Sequence, residues 1–400
     1  MELLSRGSSI IDDLWSDGRG YVLIAVSGGW FLSIGIRMIY PVLLPYIRVD
    51  FNISLTVAGL LLTMLWFAYA LGQTPGGIWA DRLGERKVLG LSTLVSGVAL
   101  VIISLSNVLT LLFVATVLFG IATALFGVAR FTVLSNLYTK RDGTAIGLTM
   151  AAGDVGNALM PPIAGLTAAV YSWRFGFSFA IPLFFMMTVI LWVAIPAQST
   201  RSNGVTNSFT FDTLQYVFRN VSNRSVLIVV FIQLLGFWVW QGFTGFYPLY
   251  LTEVKGISPG ISSVVFGLFF IIGIVIKPAS GGAYDRFGIG WTVIILSGTM
   301  AVSLCMLVIF ANTLVAILLL TPFLGAVLGM ATVTLSHLTN LLPKDMQGTG
   351  LGLIRSFYIT IGSLSPTVIG LFADYGYFDH ALLLFALFSI VILIAAWNIK

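Results

Sequence analysis

Charge, cysteine and histidine are scarce in this 400-residue sequence, which is 9% charged and contains one cysteine and two histidines. Soluble domains carry about 25% charged residues, so the composition excludes a chain of two or three soluble domains. Because Cys305 is the single cysteine, the sequence excludes a disulfide framework, and this residue lies in a hydrophobic run. So few thiols and imidazoles offer neither a metal-ligand cluster nor a nucleophile–base spacing. We therefore expect no enzymatic activity, no metal and no cofactor.

Long hydrophobic runs are abundant instead, with a hydrophobic share of 58% and a mean hydropathy of +1.02. A membrane-spanning helix needs about 20 apolar residues, and runs of that length recur along nearly the whole sequence. They do not alternate in polarity as the strands of a membrane barrel do. Only helices and closed barrels satisfy their backbone hydrogen bonds in lipid, so we predict an all-α integral membrane protein. No basic stretch is long enough to predict nucleic-acid binding, despite a net charge of +5.

Charged and turn residues divide the sequence into twelve apolar segments. The predicted segments are 21–47, 55–80, 88–106, 108–136, 144–171, 175–197, 226–252, 259–284, 291–310, 314–340, 348–374 and 379–398. One long polar linker, 198–225, separates an N-terminal half, 1–197, from a C-terminal half, 226–400. Each half then carries six predicted helices.

The distribution of lysine and arginine predicts the orientation of these helices. With both termini on one side, that side holds Arg6, Arg19, Arg82, Arg86, Lys87, Lys140, Arg141, Arg201, Arg219, Arg224, Arg286, Lys344 and Lys400. The other side holds Arg48, Arg174 and Lys255. Cytoplasmic loops carry an excess of basic residues, so we predict that both termini and the linker are cytoplasmic. The protein is expected in the cell membrane as a multi-pass chain.

An internal repeat relates the two halves. The stretch "GGIWADRLGERK" at 76–87 is echoed by "GGAYDRFGIGW" at 281–291, and Asp81 and Asp285 are 204 positions apart. Segments five and eleven also share glycines, prolines and leucines at a spacing of 205. Tandem repeats of this kind are one of the architectures that support alternating access.

These features resemble the major facilitator superfamily along the whole chain. The family's loop 2–3 signature is Gly-x-x-x-Asp-Arg-x-Gly-x-Arg-Lys. It is present here as Gly77, Asp81, Arg82, Gly84, Arg86 and Lys87. A partial copy lies between segments eight and nine as Gly281, Asp285, Arg286 and Gly288, without the final Arg-Lys pair.

The resemblance implies twelve helices in two six-helix halves around a central cavity, and secondary transport by alternating access. It also implies that the two loops act as gates. Asp81 would meet the start of segment eleven at Gly348, and Asp285 would meet the start of segment five at Gly143, where a helix N-terminus favours a carboxylate. The alternative is that the charge cluster only anchors the topology. The antiporter signature of segment five is missing, which makes a drug/proton antiporter less favoured.

Five ionisable residues fall inside the predicted segments, namely Arg37, Arg130, Asp154, Lys277 and Arg355. Each costs roughly 2.5–3.5 kcal/mol at the centre of a span, so they need partners, water or a ligand. They lie on segments one, four, five, eight and eleven, which by the family resemblance line the cavity. Four basic groups and one acidic group predict a cavity that attracts anions.

Because a helix rises 1.5 Å per residue, we expect Arg130 on segment four and Asp154 on segment five to lie at similar depth. Three interpretations stay open: a permanent ion pair, a protonatable Asp154 that releases Arg130 to the substrate, or a direct role of Asp154 in binding protons or substrate. Arg37, near the middle of segment one, is a candidate for substrate contact. Its alternative is a structural pair or contacts with carbonyl groups.

Further substrate-binding candidates come from branch resemblances and from the second half. A basic pair on segments eight and eleven, Lys277 and Arg355, is similar to that of the oxalate/formate antiporter and monocarboxylate carriers. The alternative for Lys277 is that its side chain snorkels towards the cytoplasm. Basic residues on segments one and four resemble the anion:cation symporter branch. Candidates for the opposite wall of the cavity are Tyr40, Trp238, Gln241 and Tyr247.

The sequence thus predicts a monomeric secondary transporter of a small organic anion, either a carboxylate or an organophosphate, coupled to protons. The implied partners are the anionic substrate, protons and the lipid bilayer. Two alternatives are a multidrug or lipophilic-compound exporter of the same superfamily and a non-transporting receptor on the same scaffold. The substrate's identity, the direction of transport and the coupling ion stay open.

Overall fold

The computed structural model describes residues 14–15, 18–138, 141–196, 224–342 and 347–399; most of the predicted linker, 198–223, therefore lies outside the described residues. Regular structure in the described part of the chain is helical. The helices are α1 Arg19–Arg37, α2 Ile39–Phe51, α3 Leu55–Leu83, α4 Glu85–Leu105, α5 Leu109–Leu137, α6 Asp142–Val170, α7 Trp173–Ser178, α8 Ile181–Ala194, α9 Arg224–Glu253, α10 Pro259–Ile309, α11 Leu314–Leu324, α12 Ala326–Leu341, α13 Gln347–Gly362, α14 Ser365–Asp374 and α15 Phe378–Trp397.

The described residues contain ten runs long and apolar enough to cross a membrane. One of them, α10, has 51 residues and contains both predicted segments eight and nine. At 1.5 Å per residue, a continuous helix of that length would be more than twice as long as the roughly 30 Å of hydrocarbon. Helix α6 has 29 residues and covers predicted segment five, although it is not among the ten runs. The prediction of an all-α membrane protein is confirmed.

Two glycines break the helices at equivalent positions of the repeat. Gly84, between α3 and α4, has φ 84° and ψ 150°. Gly288, inside α10, has φ 74° and ψ 175° and divides that helix into two. A side chain is strongly disfavoured at positive φ, whereas glycine adopts it readily. In both Gly-x-x-x-Asp-Arg-x-Gly stretches, therefore, a glycine at positive φ separates the end of one span from the start of the next.

The chain forms two compact units, with boundaries inside α1–α2 and α3. The first unit comprises Met1–Ile39 and Ala68–Gly204, and the second comprises Tyr40–Phe67 and Val205–Lys400. The division into sequence halves at 198–225 stays a prediction from the repeat.

In the first unit, α1 packs against α6, and α4 packs against α5 and α8. Small residues allow the α1–α6 approach. A Cβ on Gly35 would lie 2.9 Å from the carbonyl oxygen of Gly156, and a Cβ on Gly156 would overlap the carbonyl oxygen of Phe31. This close approach brings the second half of α1 beside the middle of α6.

In the second unit, α10 packs against α12 and α15, while α9 contacts α12 to α15. The first half of α3 also belongs to this unit and lies against α14. A Cβ on Gly59 would overlap the carbonyl oxygen of Pro366, and a Cβ on Gly370 would overlap that of Leu55. The hydroxyl groups of Thr63 and Thr367 hydrogen bond at 2.7 Å between the same two helices.

Candidate functional site

Arg37 is the first of the predicted site residues, and it lies in the middle of the 33-residue span Arg19–Phe51. Its side chain is only 1% exposed. Nε donates to the carbonyl oxygen of Ser33 at 3.2 Å. The guanidinium carbon lies 4.0 Å from the ring centroid of Tyr69 on α3 and 5.5 Å from that of Trp30 on α1. Aromatic faces, which attract cations, therefore accompany this buried charge.

Arg130 on α5 is buried to the same extent, with 1% exposure. Its Nε donates to the carbonyl oxygen of Gly127 at 3.2 Å, and a terminal nitrogen lies 3.3 Å from the sulfur of Met150 on α6. The guanidinium carbon is 3.4 Å from the ring centroid of Trp30 and 4.2 Å from that of Phe131. Arg130 therefore stacks directly on the indole that Arg37 also faces.

Trp30 connects the two arginines and is itself 3% exposed. A Cβ on Gly153 of α6 would overlap the indole nitrogen of Trp30, so the ring packs directly against the α6 backbone. Tyr69 is fixed in a similar way, since a Cβ on Gly127 would lie 2.7 Å from its hydroxyl oxygen. We call Trp30, Arg37, Tyr69 and Arg130 the arginine–aromatic cluster. It is assembled entirely within the first unit, from α1, α3 and α5.

Both arginines of this cluster were predicted from the sequence, whereas Trp30, Tyr69 and Met150 were not. One signal was present, because Trp30 and Arg37 are seven residues apart and so share a helix face. The two guanidinium carbons are at most about 9 Å apart, because both lie close to one indole. At an effective dielectric of 20, two positive charges within that distance repel by at least about 2 kcal/mol. Two basic side chains thus approach one aromatic ring in the interior of the first unit.

Asp154, the predicted proton-coupling residue, is half-buried on α6. It lies four residues beyond Met150 and so on the same helix face as the sulfur that contacts Arg130. One turn further along α6, Asn157 is 4% exposed, and its Oδ1 has no hydrogen-bond partner among the described residues. The coupling of Asp154 to Arg130 stays a prediction.

The second unit holds the other predicted substrate residues. Tyr247 is fully buried, stacks on Phe243 at 4.6 Å between centroids and approaches the hydroxyl of Thr321 at 3.5 Å. Gln241 is 1% exposed, and its Oε1 has no hydrogen-bond partner among the residues described. Of the remaining predicted residues in this unit, Tyr40 is buried, whereas Trp238, Lys277 and Arg355 are half-buried. Their roles stay predictions.

An aromatic series in the second unit was not predicted. The ring of Trp240 lies 5.6 Å from Trp66 on α3 and 5.3 Å from Phe237, measured between centroids. Phe237 continues the series to Tyr358 on α13 at 5.0 Å. Because Phe237 and Trp240 stay partly exposed, the series presents an aromatic surface.

The first predicted gating loop places most of its charges in solvent. Asp81 and Arg82 are exposed, whereas Glu85 is 8% exposed and accepts a hydrogen bond from Nδ2 of Asn136 at 2.8 Å. The Arg86 guanidinium carbon lies 4.9 Å from the Trp192 ring centroid. At Gly77 a Cβ would meet only Val128, at 3.7 Å. The loop is thus tied to the first unit through Glu85 and Arg86, and the latch role of Asp81 stays a prediction.

The second predicted gating loop borders a cavity of about 740 Å³. Asp285 and Gly288 line it, together with the exposed ring of Trp291 and with His337, while Arg286 is exposed. A Cβ on Gly281 would meet nothing within 4 Å, so this glycine is not required by close packing. The hydroxyl of Tyr284 lies 3.2 Å from Nδ1 of His337. The pairing of Asp285 with Gly143 stays a prediction.

Polar contacts on the predicted extracellular side of the second unit were not predicted at all. Asp374, at the end of α14, accepts hydrogen bonds at 2.8 Å from the backbone nitrogens of Leu55 and Thr56, the first residues of α3. The Thr56 hydroxyl donates to the same carboxylate at 2.5 Å. Arg48 and Glu253 form an ion pair at 2.6 Å. Asp374 thus caps a helix whose first amides have no intrahelical acceptor.

Comparison with known proteins places this geometry in a family. Residues 25–364 match the sequence model of the Major Facilitator Superfamily. A hexuronate transporter of Bacillus subtilis is 22% identical over 365 residues, covering 85% of each chain. A probable sulfoacetate transporter of Cupriavidus necator is 24% identical over 368 residues, covering 85% of this chain and 84% of its own.

A crystal structure of a bacterial homologue of the human lysosomal transporter Spinster shares the fold. It aligns with a TM-score of 0.80 over 96% of this chain and 97% of that one, at 15% identity. The family match covers most of the residues that the sequence analysis used, including the first gating loop and both arginines of the cluster. The chain therefore belongs to the Major Facilitator Superfamily, a family of membrane transporters and not of enzymes.

Proposed function

We propose that this transporter carries a small organic anion, a carboxylate or an organophosphate, and that the arginine–aromatic cluster binds its anionic group. The observation that carries the proposal is the burial of Arg37 and Arg130 to 1% exposure in the interior of two spans, close to one indole. Few substrates other than an anion would gain from two such charges.

The contacts of Arg130 suit an exchangeable ligand. A thioether sulfur such as that of Met150 is a weak acceptor. A carboxylate or phosphate oxygen accepts a shorter, charge-assisted hydrogen bond from guanidinium and can bind in a bidentate manner. The anion would therefore replace the weak Met150 contact with a stronger one. The names of the two relatives, a hexuronate and a sulfoacetate transporter, support an anionic substrate.

The proposed transport is coupled to protons through Asp154. Asp154 shares a face of α6 with Met150, which contacts Arg130. In the ionised form its carboxylate competes with the substrate for the positive charge of the cluster, and in the protonated form it does not. Binding of the anion would therefore favour protonation of Asp154, and both would cross together. Protonation linked to binding is the minimum that coupled symport requires.

The binding site is tested by uptake into proteoliposomes. Carboxylates and organophosphates are compared with lipophilic cations, using the wild type and the variants Arg37→Gln and Arg130→Gln. Loss of a hydrogen-bonded charge costs about 1.5–3 kcal/mol, so kcat/KM for the anion should fall by about ten- to a hundredfold. The control is Arg174→Gln, since Arg174 is another arginine of the first unit, but it is only half-buried and donates to the carbonyl oxygen of Ser106.

Three outcomes decide this proposal. Transport of an anion that fails in both cluster variants but not in Arg174→Gln supports it. Normal anion transport by both variants shows that the cluster is not the binding site. Transport of lipophilic cations and of no anion would favour the multidrug alternative.

Coupling is tested separately by Asp154→Asn. With an inward proton gradient, the wild type should accumulate the anion above equilibrium, whereas the variant should only equilibrate it. Asn157→Asp, which adds a carboxylate one turn away on α6, tests whether coupling depends on the position of the carboxylate. If Asp154→Asn keeps its full response to the gradient, Asp154 is not the coupling residue.

A further inference from the structure

We propose that the arginine–aromatic cluster selects dianions over monoanions, and that Trp30 is the positioning residue that fixes the two arginines for this selection. The inference rests on the proposed function, because it names the charge class of the anion that the same cluster binds. It adds a residue and a selectivity that neither the sequence motifs nor the named relatives define.

The two positive charges of the cluster lie at a spacing that a short dianion can match. The guanidinium carbon of Arg130 lies 3.4 Å from the Trp30 ring centroid, and that of Arg37 lies 5.5 Å from it. The two carbons are therefore separated by at most about 9 Å. The two anionic carbons of a diacid of two to six carbons are roughly 1.5–7 Å apart, at about 1.5 Å per carbon–carbon bond. A short dianion can therefore place one anionic group on each arginine. A monoanion can neutralise only one and leaves the other charge uncompensated by ligand.

Aromatic stacking determines the direction from which each guanidinium group can bind an anion. The ring of Trp30 covers a face of Arg130, and the ring of Tyr69 lies 4.0 Å from Arg37. Stacking occupies the face of a guanidinium and orients its N–H groups, which lie in the plane and match a carboxylate or phosphate group. Each arginine is thereby set to recognise one planar or tetrahedral oxyanion at its edge.

The indole of Trp30 also packs directly against α6. A Cβ on Gly153 would overlap the indole nitrogen of Trp30, so one edge of the ring lies against the α6 backbone, while the Arg130 guanidinium lies over its face. Trp30 is 3% exposed and shares a helix face with Arg37. Removing the ring, or pushing it with a methyl group at Gly153, should change the spacing of the two charges rather than their number.

The test measures binding of matched acids to the purified full-length protein by isothermal titration calorimetry. Each pair has the same six-carbon chain but one or two negative charges: gluconate with glucarate, and sorbate with trans,trans-muconate. In the wild type, the dianion of at least one pair should bind at least tenfold more tightly than its monoanion. Trp30→Leu should reduce this ratio to below threefold, whereas Trp30→Phe, which keeps an aromatic face, should retain most of it.

Controls separate positioning from simple damage. Phe119→Leu removes another fully buried ring of the first unit, one that contacts Phe184, and should leave the ratio unchanged. Gly153→Ala should lower the ratio as Trp30→Leu does, which keeps the test decisive if Trp30→Leu does not fold. A purely structural role of Trp30 would weaken both acids equally and leave their ratio intact.

The outcomes distinguish this inference from the proposed function. Equal affinity for mono- and dianions in the wild type overturns the selectivity but leaves anion transport standing. A wild-type ratio that survives in both Trp30→Leu and Gly153→Ala overturns the role of Trp30. Absence of binding for every acid in this panel, together with absence of anion uptake in the transport panel, contradicts the proposed function itself.

Discussion

The cap that Asp374 forms on α3 gives the sharpest quantitative prediction. Its carboxylate accepts hydrogen bonds from the backbone nitrogens of Leu55 and Thr56 and from the Thr56 hydroxyl. These amides belong to the first turn of a helix, where no intrahelical acceptor exists. Asp374→Ala removes the acceptor and the favourable charge at the helix N-terminus together.

The magnitude follows from the type and exposure of these bonds. A hydrogen bond to a charged group contributes about 1.5–3 kcal/mol, but Asp374 is exposed, so solvent screening reduces the sum for the cap to about 2 kcal/mol. Local opening of the first turn of α3 should therefore become about 30-fold more frequent, at 1.4 kcal/mol for each factor of ten. Asp374→Asn keeps an acceptor oxygen and should increase opening by only about fivefold.

Hydrogen–deuterium exchange of a peptide covering residues 52–58 measures this opening directly. The control is Asp142→Asn, since Asp142 also accepts a bond at a helix start, from Gly143 of its own helix at 2.8 Å. That variant should leave exchange at 52–58 unchanged. If Asp374→Ala also left the exchange of Leu55 and Thr56 unchanged, the cap would contribute no local stability and the reasoning would be refuted.

Two further predictions concern packing and orientation. Gly156→Ala should lower the free energy of unfolding by about 1–3 kcal/mol, because the added methyl group overlaps the α1 backbone. The control Gly147→Ala should be neutral, because its methyl group meets nothing within 4 Å. Thermal unfolding in detergent compares the two variants. In a Cys305→Ser background, a membrane-impermeant thiol reagent applied to whole cells should label Lys255→Cys and not Asp81→Cys, and the reverse pattern would show that the predicted orientation is inverted.

The sequence was sufficient for the membrane class, the approximate spans and the repeat. Each rests on short-range information. A run of about 20 apolar residues predicts a spanning helix wherever it folds, and Gly84 and Gly288 marked helix breaks because few other residues adopt positive φ. Buried charge could also be read locally, because a charge inside a span is costly whatever surrounds it. That is why Arg37 and Arg130 were identified.

Partners of these residues could not be read in the same way. The sequence has 10 tryptophans, 13 tyrosines and 30 phenylalanines, so nothing local distinguishes Trp30 or Tyr69 from aromatic residues that pack or face lipid. Asp374 lies 319 positions from Leu55, and its role depends on the end of α14 lying beside the start of α3. No periodicity in the sequence carries such information.

By itself, then, the sequence determined which segments cross the membrane and which charges must be compensated there, because hydropathy and charge act on each residue separately. Only the tertiary structure decided what lies beside those charges. The close approach of α1 and α6 at Gly35 and Gly156 places Trp30 against Gly153, and the stacking of Arg130 on that indole joins it to Arg37. Those contacts depend on the distances between helices, which are set by packing of residues far apart in the chain.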